Sequence, residues 1–557
     1  MCDMSALDNL VANTAYLKAQ GGDEKELRKR RQSLSLPKPA NCESIKASIG
    51  QDFESLCELQ PIGKKLFRLF LNETSEYAVA AEFLDELNDW ELAEGAAKDK
   101  ACTNIINQFC KEGSKSFLSC LTGETLEKCR AVTEKDFEVV MVGQVKEGVK
   151  EFLKGKPFME YTLSPFFEKF LQWKEYEKQP ISEKYFYEFR TLGKGGFGEV
   201  CAVQVKNTGQ MYACKKLCKK RLKKKQGEKM ALLEKKLLEK VNSPFVVSLA
   251  YAYETKTHLC LVMTLMNGGD LKYHIYHIGE KGIKMDRIIY YSAQITTGML
   301  HLHAMDIVYR DMKPENVLLD SQGQCRLSDL GLAIELPPEK TTTQKAGTGA
   351  YMAPEVLTET PYRTSVDWWS LGVSIYEMVT GYTPFRGPDG KKVDKDEVKR
   401  RIINDEPVFE HTNFDPLTKD LILQFLKKNV DERLGCKANA NAVCLHRGDD
   451  PRKHEWFKSI NFPRLEAGLI PPPWLPKPNV VYAKDTGDIA EFSDVKGIEF
   501  NEKDEKLFKL FSTGAIPIPW QKEMIDTGLF DELNDPHRKE SSVGLDQDKK
   551  SGTCTLL

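Results

Sequence analysis

Several short elements, read in chain order, carry side chains suited to moving a phosphoryl group. The segment GKGGFGEV sets Gly193, Gly195 and Gly198 in a GxGxxG pattern, with Leu192 before it and Val200 closing it. Glycines let a backbone loop approach phosphates and donate N–H groups without a Cβ clash. Lys194, Gly196, Phe197 and Glu199 fill the rest of that loop. The pattern alone decides little, because dinucleotide-binding turns share it. The next segment decides, since YACKK reads as a strand where a dinucleotide site would open a helix. Lys215 on that strand can neutralise α- and β-phosphate charge if a carboxylate holds it. Glu234, in the helical run MALLEKKLLEK, is placed to do so.

The run YRDMKPENVLL carries the strongest signal. Asp311 would accept the proton of a substrate hydroxyl, and Lys313 would stabilise the charge in transfer. Asn316, five residues on, offers an oxygen ligand for a hard cation such as Mg²⁺, and Asp329 in SDLGLA is the second metal ligand. The segment AGTGAYMAPE, ending in Glu355, and DWWSLG, with Asp367, complete the series. Each residue alone would read as a surface charge. In this order and spacing they specify a phosphotransferase that uses ATP and Mg²⁺.

The elements that must position these groups form several domains, as a length of 557 residues predicts. Residues 1–20 read as an amphipathic helix with Met4, Leu7, Leu10, Val11 and Leu17 on one face and Asp8, Asn9 and Asn13 opposite. A basic stretch, ELRKRRQSLSLPKPAN, follows as an exposed linker. From Cys42 to Gln179 the pattern is helical, with stripes at Leu66, Phe67, Phe70 and Leu71 and at Phe83, Leu84 and Leu87. Ser164 and Pro165 predict a helix start, the hydroxyl capping it. Short strands begin at Phe186, with NTG as a hairpin turn, and helices return after Met285. Past Pro471 the chain is extended and proline-rich, and a helical piece spans Lys503 to about Leu533. No internal repeat is found.

Composition narrows the classes. Hydrophobic residues are 41% and charged residues 29%, with a formal net charge of -2, so no global field argues for nucleic acid. The 15 cysteines show no paired CxxC spacing and read as free thiols. No apolar run approaches the roughly 20 residues of a membrane span. The first residues read neither as a signal peptide nor as a myristoylation site. The run KKLCKKRLKKK reads, apart from Lys215, as a solvated face.

From Phe186 to Phe457 the chain resembles a protein kinase catalytic domain, and IPPPWLPKPNVVYAKD resembles the C-terminal extension of the AGC branch. That resemblance implies a gatekeeper at Met263, adenine near Thr264 to Met266, and Asp270 on the ribose. Tyr309 and Leu330 stand where many kinases carry His and Phe. Gln344 occupies the position of the activating phosphothreonine, which implies activation by binding in place of loop phosphorylation. FESLCELQPIGKKLFRLFL, ELNDWELA, SPFFEKFLQWKEYEKQPISEKYFYEF and the return segment KLFKLFSTGAIPIPWQKEMIDTGLFDELN resemble the G-protein-coupled-receptor kinases. The implied fold is α+β, a bilobal protein kinase domain inserted in an all-α regulator-of-G-protein-signalling homology domain. The implied division is a docking helix at 1–20, a basic linker at 21–41 and helical domain at 42–180. The kinase domain follows at 181–457, its extension at 458–502, returning helices at 503–535 and a flexible tail at 536–557.

The same resemblance implies that Asp3, Leu7, Leu10 and Val11 dock on an activated seven-helix receptor, the helix ordering on that contact. The ending Cys554-Thr555-Leu556-Leu557 fits a prenylation box whose final Leu favours geranylgeranyl at Cys554. This ending resembles the visual subgroup, with a cone-type opsin as receptor. It implies the cytoplasmic face of the photoreceptor outer-segment membrane and a calcium-dependent regulator such as recoverin. Gα binding is not expected. One prenyl chain holds a membrane only reversibly, so Arg28 to Arg31, the helix or the receptor is expected to add a contact. Ser33 behind Arg30 and Arg31, and Ser541 and Ser542 in the tail, are candidate phosphosites. The rival readings are a non-catalytic receptor- or G-protein-binding scaffold and a membrane-attached kinase for other proteins.

Overall fold

The computed structural model describes residues 4–21, 24–386, 390–411, 413–437, 448–483 and 495–538. In the helical domain, Pro61 opens the helix Pro61–Leu71, which buries Ile62, Leu66, Phe67 and Leu71 along one face. That face packs on the helix Pro165–Glu177. Phe53, Phe67, Phe158 and Tyr161 meet edge to face, with Phe67 and Tyr161 centred 5.1 Å apart. Gly63 is required here, because an added Cβ would stand 1.9 Å from the Leu56 carbonyl. Ser164 does begin its helix, but its hydroxyl donates backward to the Tyr161 carbonyl at 2.7 Å and caps nothing.

The small lobe is a six-stranded sheet. β1 (Phe186–Lys194), β2 (Gly198–Val205), β3 (Met211–Cys218), β5 (His258–Thr264) and β4 (Leu249–Glu254) lie side by side in that order, all antiparallel. Gly209, at φ 78°, makes the β2–β3 turn that NTG predicts. The sixth strand, Gly514–Ala515, comes from the far end of the chain and pairs with β4, covering that edge. Period-two alternation gives the sheet two buried faces. Val203, Tyr212, Cys214, Tyr251 and Val262 on the outer face join the core of the helical domain together with Trp520, Met524 and Phe530. The terminal helical piece consists of three helices, Glu502–Phe511, Pro517–Asp526 and Leu529–Asn534.

The large lobe is built on the helices Met285–Ala304, Ser365–Thr380 and Pro416–Phe425. Glu355 and Arg433 form a buried bidentate pair, at 2.6 and 3.0 Å, that ties the end of the activation segment to the base of the lobe. Asp367, fully buried, accepts from the Tyr309 and Arg310 amides at 2.9 and 2.8 Å and so pins the catalytic loop.

Two expectations are corrected. The basic stretch is a helix, Glu24–Arg31, and Arg31 is buried. Its guanidinium donates to the carbonyls of Asn207, Thr208 and Thr527 and pairs with Glu532, so it is not free to meet a membrane. In the lysine run, Lys219 is likewise buried and pairs with Glu254 at 2.6 Å, because that part of the run folds under the returning helix Glu502–Phe511. Among the described residues no helix is long and apolar enough to cross a membrane.

Candidate active site

The glycine loop joins β1 to β2 and folds back on itself through the Gly195 amide, which donates to the Gly198 carbonyl at 2.8 Å. Gly198 is required by β3 beneath it, since an added Cβ would lie 1.7 Å from the Lys216 carbonyl. Two adjoining cavities of about 560 and 470 Å³ run under the loop and share Gly193, Val200, Lys215, Glu234 and Asp329. The first also holds Leu192, Met263, Thr264, Met266 and Asp270. Lys194, Gly195, Gly196, Phe197, Gly198 and Glu199 line the second, with Asp311. Every residue expected to touch ATP thus faces one continuous cleft. Asp270 has a further task, because its side chain accepts from the Tyr273 amide at 2.8 Å and caps the helix Leu271–His277.

Lys215 sits where its strand predicts and reaches Glu234 at 2.6 Å and Asp329 at 3.4 Å. Burial opposes its charge, but the two carboxylates outweigh burial and hold the ammonium above its ordinary range. In return the Lys215 charge keeps the Asp329 carboxyl below the usual carboxylate range, against its partial burial. Asp329 is therefore ionised at neutral pH, as a ligand for a hard cation must be. Its backbone takes φ 53°, a left-handed turn that its own carboxylate supports by accepting from the Gly331 amide at 3.2 Å.

Across the cleft, Lys313 donates to Asp311 Oδ2 at 2.7 Å, and the Asn316 amide nitrogen donates to the same oxygen at 2.8 Å. This fixes the amide orientation of Asn316 and leaves its oxygen for other use. Asn316 and Asp329 offer the oxygen donors that Mg²⁺ takes, and the Lys215 ammonium suits the ATP phosphates, so the residues fit the group. Bound there, the ion would neutralise charge on the phosphates. The chain's own contacts hold Asp311 and Lys313 together at the mouth of this cleft.

Thr348 was not singled out from the sequence. Its hydroxyl donates to Asp311 Oδ1 at 2.9 Å and accepts from Lys313 at 2.8 Å, closing a three-membered cluster. The signal lay in AGTGAY, a lone hydroxyl between two glycines. Gly347, at φ 113°, lies so close to the catalytic loop that a Cβ would stand 2.6 Å from the Arg310 carbonyl. Gln344 does face Arg310, whose Nη1 donates to its Oε1 at 2.9 Å.

The N-terminal helix forms at Met4–Gly21 and packs on β1. Its protein-facing side differs from the expected stripe. Tyr16 is buried and Asn13, expected on the polar side, accepts from Arg190, while Val11 is 61% exposed. Leu7 and Leu10 lie within the helix, and Asp3 lies outside the described residues. Cys554, Ser541 and Ser542 also lie outside them. Ser33 is exposed, its hydroxyl donating to the Arg30 carbonyl at 2.8 Å.

Residues 186–445 match the protein kinase domain family, and residues 52–170 match the regulator of G protein signaling domain family. The chain is 78% identical over 560 residues to rhodopsin kinase grk7a of Danio rerio, covering all of both chains. It is 59% identical over 562 residues to rhodopsin kinase grk7-a of Xenopus laevis and 55% over 568 residues to rhodopsin kinase GRK7 of Homo sapiens, again over the whole of each.

Proposed function

Because the chain belongs to the rhodopsin kinase family of serine/threonine protein kinases, we propose that it phosphorylates the cytoplasmic tail of a light-activated cone-type opsin. The γ-phosphate of ATP passes to a Ser or Thr hydroxyl held at Asp311, which starts receptor shutoff and arrestin binding. The observation that carries the catalytic reading is the assembled line of Lys215, Glu234 and Asp329 facing Asp311, Lys313 and Thr348. A scaffold that only bound a receptor or a G protein would have no need of it.

Membrane attachment through a geranylgeranyl group on Cys554 belongs to the same reading, which places the enzyme on the cytoplasmic face of the outer-segment membrane. Since Arg31 is buried and Arg30 is held by Tyr187 and Glu26, Arg28 and Lys29, the N-terminal helix and the receptor remain as its second contact. Asp3, Leu7, Leu10 and Val11 are assigned to receptor docking, supported by the outward exposure of Val11. A calcium-dependent regulator such as recoverin belongs to the same reading as a partner. Asp311, Lys313, Lys215, Glu234, Asn316 and Asp329 carry the roles given above.

Labelled ATP is offered to the enzyme with light-activated opsin membranes, dark opsin membranes and a soluble acidic peptide. Transfer that depends on light supports the proposal. Equal transfer in light and dark supports a general membrane kinase, and no transfer supports the scaffold. Deleting residues 2–18 is expected to abolish opsin phosphorylation while sparing much of the peptide phosphorylation.

A further inference from the structure

Lys272, in the first turn of the helix Leu271–His277, donates to Glu315 Oε1 at 2.7 Å. Glu315 lies on the short turn Pro314–Asn316, on which that helix packs, between Lys313 and the metal-binding candidate Asn316. The Lys272 side chain is 52% exposed. The second carboxylate oxygen, Glu315 Oε2, is buried and has no hydrogen-bond partner among the described residues. A neighbouring acid is already satisfied. Glu377 is buried and accepts from Tyr276 at 2.5 Å and from Tyr351, three residues past Thr348. Glu315 is therefore left with acceptor capacity, and Lys272 is the cation that covers it. Burial holds the Asp270 and Glu377 carboxyls above their ordinary range; the Glu315 charge adds to this and the Lys272 ammonium opposes it, so these groups share one field.

We infer that Lys272 determines substrate specificity, turning the corner beside Asp311 away from basic side chains and toward acidic or uncharged ones. Glu315 is four residues from Asp311, and Tyr351 is three from Thr348, whose hydroxyl meets Asp311. Side chains flanking the acceptor hydroxyl are thus the ones that meet this wall. A carboxylate with a buried, unpartnered oxygen draws a donor cation, such as a substrate Arg or Lys. Lys272 fills that role from within the chain. A basic substrate residue must displace it and meets its charge on the way, whereas a carboxylate or phosphate group gains a cation. Half-exposed and screened, the ion pair adds little to stability, so its weight falls on the choice between substrates. The inference rests on the kinase reading of Asp311 and names a substrate class for it, independent of which receptor is used.

The full-length enzyme is assayed on soluble peptides with one acceptor serine and uncharged flanks. A single Arg or Asp is placed in turn at each of the three positions on either side of the serine, and kcat and KM are measured. At the position that meets the pair, the wild type should favour Asp over Arg. Lys272→Ala should raise kcat/KM for the Arg peptide about tenfold there and lower it for the Asp peptide, leaving the uncharged peptide within about twofold. Lys272→Arg keeps the cation and should behave as wild type. Adding Glu315→Gln to Lys272→Ala should cancel the gain on Arg. An Arg-to-Asp ratio that Lys272→Ala leaves unchanged at every position would overturn the inference, as would an equal change on all peptides or a gain on Arg that survives Glu315→Gln. No transfer to any peptide by the wild type would sink the catalytic reading and this inference with it, whereas transfer that ignores Lys272 sinks the inference alone.

Discussion

Arg310 and Gln344 are joined by a single hydrogen bond of 2.9 Å from the guanidinium to an uncharged amide oxygen, closed from behind by Tyr362, whose hydroxyl donates to the Gln344 carbonyl at 2.5 Å. Arg310 is 8% exposed, takes φ 65°, and also donates to the Leu332 carbonyl at 2.6 Å, three residues past Asp329. One guanidinium therefore ties the catalytic loop, the metal loop and the activation segment together without a phosphate. We expect the unphosphorylated enzyme to transfer phosphate to a soluble peptide, with no phosphate on Thr341, Thr342 or Thr343 by intact mass. Gln344→Ala removes one partner of a buried charge, a loss of about 1–3 kcal/mol, and should lower peptide kcat. A wild-type enzyme that gains activity only after phosphate is added to those threonines would disprove this account.

Thr348 orients Asp311 and Lys313 toward each other, so its removal should act on the chemical step. Thr348→Ala deletes one hydrogen bond to each, and a loss of about 1.4 kcal/mol corresponds to roughly tenfold in kcat. Thr348→Ser should recover most of it. Steady-state kinetics on peptide decide the matter, and a rise in KM for ATP with kcat intact would show that Thr348 serves binding instead.

How much of this was legible beforehand follows from the range of each contact. Gly193 to Val200, Asp311 to Asn316 and Asp329 sit in short segments whose local geometry sets their roles, so spacing alone located them. The Lys215–Glu234 pair spans only 19 positions. Arg31 meets Glu532 across 501 positions, and Tyr212 meets Glu523 across 311. No periodicity carries such pairings, so Arg31 read as a linker cation. Thr348 lay in a quoted segment, but its role depends on a turn that brings it back over Asp311. Tyr16 failed for another reason: the helix turns Tyr16 inward and Val11, a member of the expected apolar stripe, outward.

Arg31→Ala should therefore behave as a core substitution. The carbonyls of Asn207, Thr208 and Thr527 lose their donor, and the β2–β3 turn loses its tie to the terminal helices. A cost of about 2–4 kcal/mol is expected, read as a fall in thermal midpoint. Arg28→Ala, at an exposed position of the same helix, should stay within about 0.5 kcal/mol. Equal effects of the two substitutions would show that the Arg31 contacts contribute nothing.

Glu523 makes the junction between the helical domain and the small lobe sensitive to pH. Its carboxyl is buried among Thr208, Tyr212 and Tyr251, which donate to it at 2.5, 2.7 and 2.7 Å, with Tyr185 close by. Burial pushes it up from 4.5 to about 7, although the three hydroxyls pull the other way. The folded state thus holds a proton that the unfolded chain releases. Its stabilising contribution is complete below about 4.5 and disappears as pH rises through about 7, at no more than about 1.4 kcal/mol per pH unit. Glu523→Gln keeps the shape, can accept from both tyrosines and can donate to Thr208, and it has no proton to lose. Urea midpoints at pH 6 and pH 8 should fall further for the wild type than for Glu523→Gln. Parallel midpoints at the two pH values would mean that the carboxylate is already ionised in the folded junction, held by its three hydroxyls alone.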